Sequence, residues 1–202
     1  MSLAEETEAG SGHSHEQLLA LVEQRAPAGQ GTAARAFAEA YVRRRAADGA
    51  DVISPEDLSA EVLGVFEFSS ARGRAPVAVR AFNPTRGRDG YEPLGSVLET
   101  NSDDWPFLVD SVSAALDARG ERVARLVHPI FGVTREDGRI VTVSHARNAI
   151  HRESVMHFDL ARRLNDEQLA ELDQTQAHLA RFGDRLPKSI RDQFQALKER
   201  LG

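Results

Sequence analysis

Apolar positions along this chain repeat first with a helical period, then with period two, then with the helical period again. Leu18, Leu19, Leu21 and Val22 predict a short helix closed by Pro27-Ala28-Gly29, and Ala34, Phe37, Ala38, Tyr41 and Val42 predict a second that starts at Thr32. Ser54-Pro55-Glu56-Asp57 reads as an N-cap, a first-turn proline and two acids favoured by the helix dipole. The helix it opens buries Leu58, Val62, Val65 and Phe66. Upstream, Met1 to Ser14 is small, polar and without periodicity, and is expected to be disordered.

The period changes at Pro76. Val77 to Phe82 is a strand, Asn83 to Pro93 a loop rich in Gly and Arg, and Ser96 to Thr100 a second strand. Val123 to Thr134 is apolar on both faces and is expected to form one long strand, central in a sheet covered on both sides. Glu136-Asp137-Gly138 is a hairpin turn into Arg139 to Ser144. The last strand is Ser154 to Leu160, with Met156, Phe158 and Leu160 inward and Val155, His157 and Asp159 on the opposite face. Asn165 with Gln168 resembles a capping box for a helix carrying Leu169, Leu172, Leu179 and Phe182. After Pro187, Ile190, Phe194, Leu197 and Leu201 repeat in a heptad-like pattern up to the last residues; such a stripe is expected to pack on something, and the chain to be cut from a longer one.

This order predicts an α+β fold with a mainly antiparallel sheet and helices on one face. It divides the chain into a disordered start (1–14), an N-terminal helical segment (15–75), an α+β domain (76–182) and a C-terminal helix (183–202).

The second strand runs into the stretch around which the rest is arranged, Asn101-Ser102-Asp103-Asp104-Trp105-Pro106-Phe107-Leu108-Val109-Asp110-Ser111-Val112. It is a strand-to-helix elbow: Asp103 or Asp104 is expected to cap the helix, with Pro106 at its start. Trp105, Leu108, Val109, Val112, Ala115 and Leu116 form one apolar stripe, stopped at Arg119-Gly120. Phe107 lies off that stripe and, with Ser111, Ala114 and Ala118, makes a second face of mostly small residues. The helix is therefore expected to touch two things at once.

Composition narrows the function. A net charge of −6 and a pI near 5.7 over 202 residues argue against coating nucleic acid or a membrane surface, both of which need a concentrated positive field. The absence of cysteine excludes disulfides and thiolate metal sites. No apolar run approaches the roughly 20 residues of a membrane span, so a soluble cytoplasmic protein is expected.

Candidate chemistry is sparse. Asp103, Asp104 and Asp110 offer carboxylates for metal or acid-base work, but acids at a helix start are more commonly caps. No glycine loop follows a strand, so no nucleotide cradle is visible. His128, His145, His151 and His157, with Glu153 and Asp159 nearby, make a His/carboxylate metal site conceivable without tight ligand spacing; His128 and His157 stand as its candidates. Ser111 and Ser113 sit inside a helix, where a hydrolase nucleophile would need a strained turn. Arg72-Gly73-Arg74 and Arg86-Gly87-Arg88 read as solvated loop charges.

Four blocks carry a resemblance: Arg80-Ala81-Phe82-Asn83-Pro84, Asp103 through Val112, Leu126-Val127-His128-Pro129 and Glu153-Ser154-Val155-Met156-His157-Phe158. In this order they resemble the N-terminal region of the large bacterial NAD-dependent glutamate dehydrogenases, from about Thr32 to about Phe182. The resemblance implies an ACT-like domain, a ferredoxin-related α+β module upstream of the catalytic domain. It also implies a regulatory or oligomerisation role within an oxidoreductase that converts L-glutamate to 2-oxoglutarate with NAD, the NAD being held elsewhere and no cofactor or catalytic residue lying in this segment. The implied partners are other domains of the same polypeptide or a second subunit. Asp103, Asp104, Trp105, Phe107, Asp110 and Ser111 are the ligand or docking candidates. In the ACT pattern a glycine at the turn admits a small effector to the backbone; here that position is Phe107, whose phenyl group would occupy the space. Two alternatives stay open, an amino-acid-sensing module at the elbow and a metal-dependent enzyme built on the histidines.

Overall fold

The period-two stretches pair as one antiparallel sheet, and helices form where the helical period runs. The computed structural model describes residues 3–47 and 53–174. In chain order the elements are α1 (Leu3–Arg25), α2 (Gly31–Ala47), α3 (Pro55–Ala71), β1 (Val77–Phe82), the one-turn α4 (Arg86–Asp89), β2 (Val97–Asp103) and α5 (Leu108–Asp117). They continue with β3 (Val123–Val127), β4 (Ile130–Glu136), β5 (Arg139–His145), a 3-10 turn (Ala146–Asn148), β6 (Arg152–Leu160) and α6 (Asp166–Asp173).

Local chemistry sets several of these boundaries. Ser54 is extended, and its Oγ accepts from Asp57 N at 3.1 Å, with Pro55 as the first helical residue of α3. Asn165 and Gln168 cap α6 reciprocally: Asn165 Oδ1 accepts from Gln168 N at 2.9 Å and Gln168 Oε1 from Asn165 N at 3.1 Å. The β4–β5 hairpin turns through Asp137 (φ 49°) and Gly138 (φ 83°), two left-handed residues as a type I′ turn requires. α1 begins at Leu3, inside the stretch expected to be disordered; Leu, Ala and Glu are strong helix formers and need no apolar periodicity to start a helix. The expected positions Leu179 and Phe182 and the helix after Pro187 lie outside the described residues.

The sheet order is β1-β2-β6-β4-β5, with β3 also paired to β6, and every pairing is antiparallel. Because β2 and β3 both run antiparallel to the β6 between them, they are parallel to each other, and α5 connects them. That split βαβ unit is the core of a ferredoxin-like arrangement, so the chain adopts the α+β class read from its pattern.

Two details differ from the sequence reading. The long central strand over Val123 to Thr134 is two strands lying in line along one side of β6, as Val127↔His157 and Ile130↔Ser154 show. His128-Pro129 breaks it: proline has no N–H to donate, and its carbonyl accepts from Val155 N at 3.2 Å. The central strand is β6, buried at eight of its nine residues.

Helices also cover both faces rather than one. Side chains alternate along a strand, so the two cores that share β6 lie on opposite sides. Met156, Phe158 and Leu160 join Leu108, Val112 and Leu116 of α5 and Leu172 of α6. Val155, with Val127, Phe131 and Ile140, joins Phe37, Tyr41, Val62 and Phe66 of α2 and α3. The Phe37 ring meets those of Phe66 and Phe131 edge-on at 5.5 and 5.0 Å. The physical reason is that α1–α3 need a second layer to bury their stripes and the far side of the sheet supplies one. The stretches divided at residue 76 thus share a core.

Candidate functional site

The elbow forms where β2 leaves the sheet. Asp104 N still donates to Arg152 O at 3.0 Å, and the chain then turns through Trp105 and Pro106 into Phe107. Phe107, at φ 66° and ψ 13°, occupies the left-handed region and is itself the N-cap of α5. The first helical hydrogen bond runs from Ser111 N to Phe107 O at 2.9 Å. The N-cap position thus falls on Phe107, whose side chain makes no capping hydrogen bond, rather than on Asp103 or Asp104, and Pro106 stands before the helix rather than in its first turn.

Asp103 faces another element altogether. Its Oδ1 lies 3.0 Å from Arg72 Nη2, beneath the C-terminal end of α3. The remaining candidates diverge. Trp105 and Val109 pack against the α5 core, Ser111 and Asp104 are half-buried, and Asp110 is exposed in the first turn, where the helix dipole favours an acid. Phe107 is 62% exposed, an unusual surface position for a phenyl group at a strained φ. Phe107, Asp110, Ala114 and Ala118 are all exposed, so the second face of α5 looks outward. These residues do not converge on a common point; what they present is an outward surface.

The histidine candidates are likewise kept apart. His128 Nε2 lies 2.8 Å from Ser154 Oγ. His157 is fully buried on the α1–α3 side of β6, with Nδ1 3.0 Å from Glu99 Oε1 and Nε2 3.5 Å from Asp159 Oδ1. The second contact is longer than a good hydrogen bond, and neither atom has another hydrogen-bond partner among the described residues, so it is an ion contact. Among the described residues no three His, Asp or Glu side chains are grouped so as to hold a metal ion.

The structure gathers charges into two clusters whose partners the pattern leaves unmarked. Around His157, Glu61 accepts from Tyr41 Oη at 2.8 Å and from Arg45 Nη1 at 3.1 Å. Arg125 bridges Glu61, at 3.1 Å, and Asp159, while Arg80 Nε donates to Glu99 at 2.6 Å. Burial pulls the His157 imidazole down, but Asp159 and Glu99, aided by Glu61, outweigh it and hold the group well above its ordinary value. Burial pushes Glu99 up, and His157 and Arg80 bring it below the usual carboxylate range. Burial also leads in raising the Tyr41 phenol, with Glu61 adding to it, so this hydroxyl stays a donor.

A second cluster sits at the other end of β6. Glu153 takes a two-pronged contact from Arg135 at 2.7 and 2.9 Å, and accepts from Arg72 at 2.8 Å and Asn101 at 3.1 Å. Burial raises Glu153, and Arg135 and Arg72 more than reverse it. Arg135 also donates to the carbonyls of Ser69 and Ser70, satisfying the C-terminal end of α3. Arg72 is therefore an interior ion-pair residue, 6% exposed, and not a solvated loop charge. Arg86 pairs bidentately with Asp57 at 2.7 Å.

The sequence signal for these clusters was an acid within an apolar register: Glu61 between Leu58 and Val62, and Glu99 within the buried β2. Long-range pairing decides their partners, which no local pattern carries. The elbow lacks the glycine loop of a dinucleotide cradle, since Asp103 to Phe107 contains no glycine to let a pyrophosphate approach the backbone.

Comparison with known proteins supplies the remaining finding. Residues 37–175 match the family model described as "Glutamate dehydrogenase, ACT1 domain". The NAD-specific glutamate dehydrogenase of Halomonas elongata is 27% identical over 122 residues, and that of Pseudomonas aeruginosa 26% over 121. Each match covers 58% of this chain and 8% of the relative, so the chain spans about a twelfth of their length. No solved structure matches the chain significantly. Among the described residues, no helix is long and apolar enough to cross a membrane.

Proposed function

The chain belongs to the glutamate dehydrogenase ACT1 domain family, and from that premise we propose that it is an N-terminal regulatory and assembly domain of an NAD-specific glutamate dehydrogenase. The parent reaction on this reading is oxidative deamination of L-glutamate to 2-oxoglutarate with reduction of NAD. The observation that carries the proposal is the family match over residues 37–175, taken with relatives far longer than this chain. The segment's own role is docking. The outward face of α5, led by the exposed Phe107, meets the remainder of the parent polypeptide or a second subunit, while the Leu108/Val112/Leu116 stripe is spent on the sheet.

Two measurements test this. The chain alone, mixed with glutamate and NAD, should form no NADH; turnover would overturn the assignment of chemistry to other parts of the polypeptide. In the full-length enzyme, Phe107→Ser should shift sedimentation velocity toward smaller species, with circular dichroism of the isolated chain unchanged. An unaltered assembly would refute docking through this face.

A further inference from the structure

On the face of the sheet opposite α5, the C-terminal half of α2 stands over the break between β3 and β4 and over the end of β5. A cleft of about 800 Å³ lies between them, within the range of roughly 300–1,000 Å³ in which small molecules and cofactors bind. Its floor is apolar, from Ala40, Phe131 and Val143, and Ile130 at its edge is 38% exposed.

Its charge runs against that of the chain. Arg43 lines one wall and Arg147 the other, and Glu39 is the one carboxylate among the described lining residues, in a chain whose net charge is −6. Glu39 is itself 3.8 Å from Arg35 on the same helix, which offsets part of its charge. Arg43 and Arg147 make no side-chain hydrogen bond or ion pair among the described residues, unlike Arg72, Arg80, Arg125 and Arg135, which are each matched to a carboxylate. His145 Nδ1 accepts from Arg147 N at 3.3 Å, so the neutral ring carries its proton on Nε2, a further donor at the cleft. The guanidiniums of Arg43 and Arg147 on facing walls, above an apolar floor, form the donor pattern for an anion with an apolar body.

We propose that this cleft binds a small organic oxyanion of two or more negative charges, phosphate or carboxylate, with Arg43 and Arg147 on the charged groups and the carbon skeleton on the Ala40/Phe131/Val143 floor. The site lies across the sheet from the Phe107 face and stands whether or not that face docks.

Isothermal titration calorimetry on the whole chain tests it with four probes: AMP, ATP, citrate and inorganic phosphate. At least one organic probe should bind saturably, with Kd of about 10 μM to 1 mM at ~0.1 M salt, weakening several-fold at ~0.5 M. Nucleotide and citrate arms separate a phosphorylated ligand from a polycarboxylate. Arg43→Ala/Arg147→Ala should weaken binding at least tenfold at an unchanged melting temperature, since both side chains are exposed, whereas Arg119→Ala in the turn after α5 should leave it intact. Lack of saturable binding by every organic probe, equal affinity for inorganic phosphate alone, or undiminished binding by the double variant would each overturn the proposal.

Discussion

Replacing His157 with leucine tests whether the buried ion network holds the helical layer on the sheet. In the wild type the imidazole lies between Glu99 and Asp159, all three on the α2–α3 side of the sheet, with His157 and Glu99 fully buried. Leucine fills similar space but leaves both carboxylates without their shared cation. Removing one partner of a buried pair costs about 3–5 kcal/mol when the other charge is left uncompensated. Here Glu99 keeps Arg80 at 2.6 Å and Asp159 keeps Arg125, so the cost falls at the low end, about 3 kcal/mol. For a chain of this size that is a drop of roughly 6–12 °C in melting temperature.

The pH dependence gives a second readout. Because the folded-state pKa of His157 is raised, its contribution is fully present below the ordinary histidine value of 6.5 and is lost as pH rises through the higher folded value. Glu99 is lowered, so its contribution is present above 4.5 and is lost as pH falls through its folded value. Thermal melts followed by circular dichroism across this range should show wild-type stability declining on the alkaline side, and His157→Leu should lack that decline. A variant melting within about 2 °C of wild type, or one that keeps the same alkaline slope, would refute the reasoning.

Two further substitutions test backbone geometry. A Cβ at Gly132 would lie 2.2 Å from Ala149 Cβ and 2.5 Å from Ser144 Oγ, so Gly132→Ala should cost about 1–3 kcal/mol, read as a lower urea midpoint; an unchanged midpoint would show that the loop yields freely. Phe107→Gly removes the left-handed strain at φ 66° but adds unfolded-state entropy, for a net gain of about 0.5–1 kcal/mol, and a lower melting temperature would count against strain at the elbow.

Elements with local signatures were legible in the sequence. Ser54-Pro55, the Asn165/Gln168 box and Asp137-Gly138 each satisfy or turn their own backbone, so their chemistry lies within a few residues. The α5 stripe was equally plain, because Leu108, Val112 and Leu116 share one face of a regular helix. Strand centrality was not legible. β6 carries Glu153, His157 and Asp159, which look like solvent-facing positions, yet all three are buried because Tyr41 of α2, Glu99 and Asn101 of β2, Arg125 of β3, Arg135 of β4 and Arg72 just after α3 reach them. The elbow is half legible: its place and its outward Phe107 are readable, but proximity to the helix start points Asp103 to capping, whereas it is held by Arg72 from thirty-one residues upstream.

The two layers on the sheet are attached by different physics, and that difference bears on function. α3 is tied directionally along its length: Glu61 to Arg125, Gly64 O to Arg80 at 2.9 Å, and Ser69 O to Arg135 at 2.8 Å. Such bonds have angular and distance requirements, so α3 cannot slide against the strands without breaking several at once. α5 has no side-chain hydrogen bond to the sheet among the described residues, and its hold is the Leu108/Val112/Leu116 stripe. Apolar burial is non-directional, and small rotations of a helix resting on it change its energy little. The layer of α1–α3 therefore acts as the registered base of the domain, and α5 is the element able to adjust. It is also the helix that turns Phe107 outward, which places compliance and the proposed docking surface on the same element.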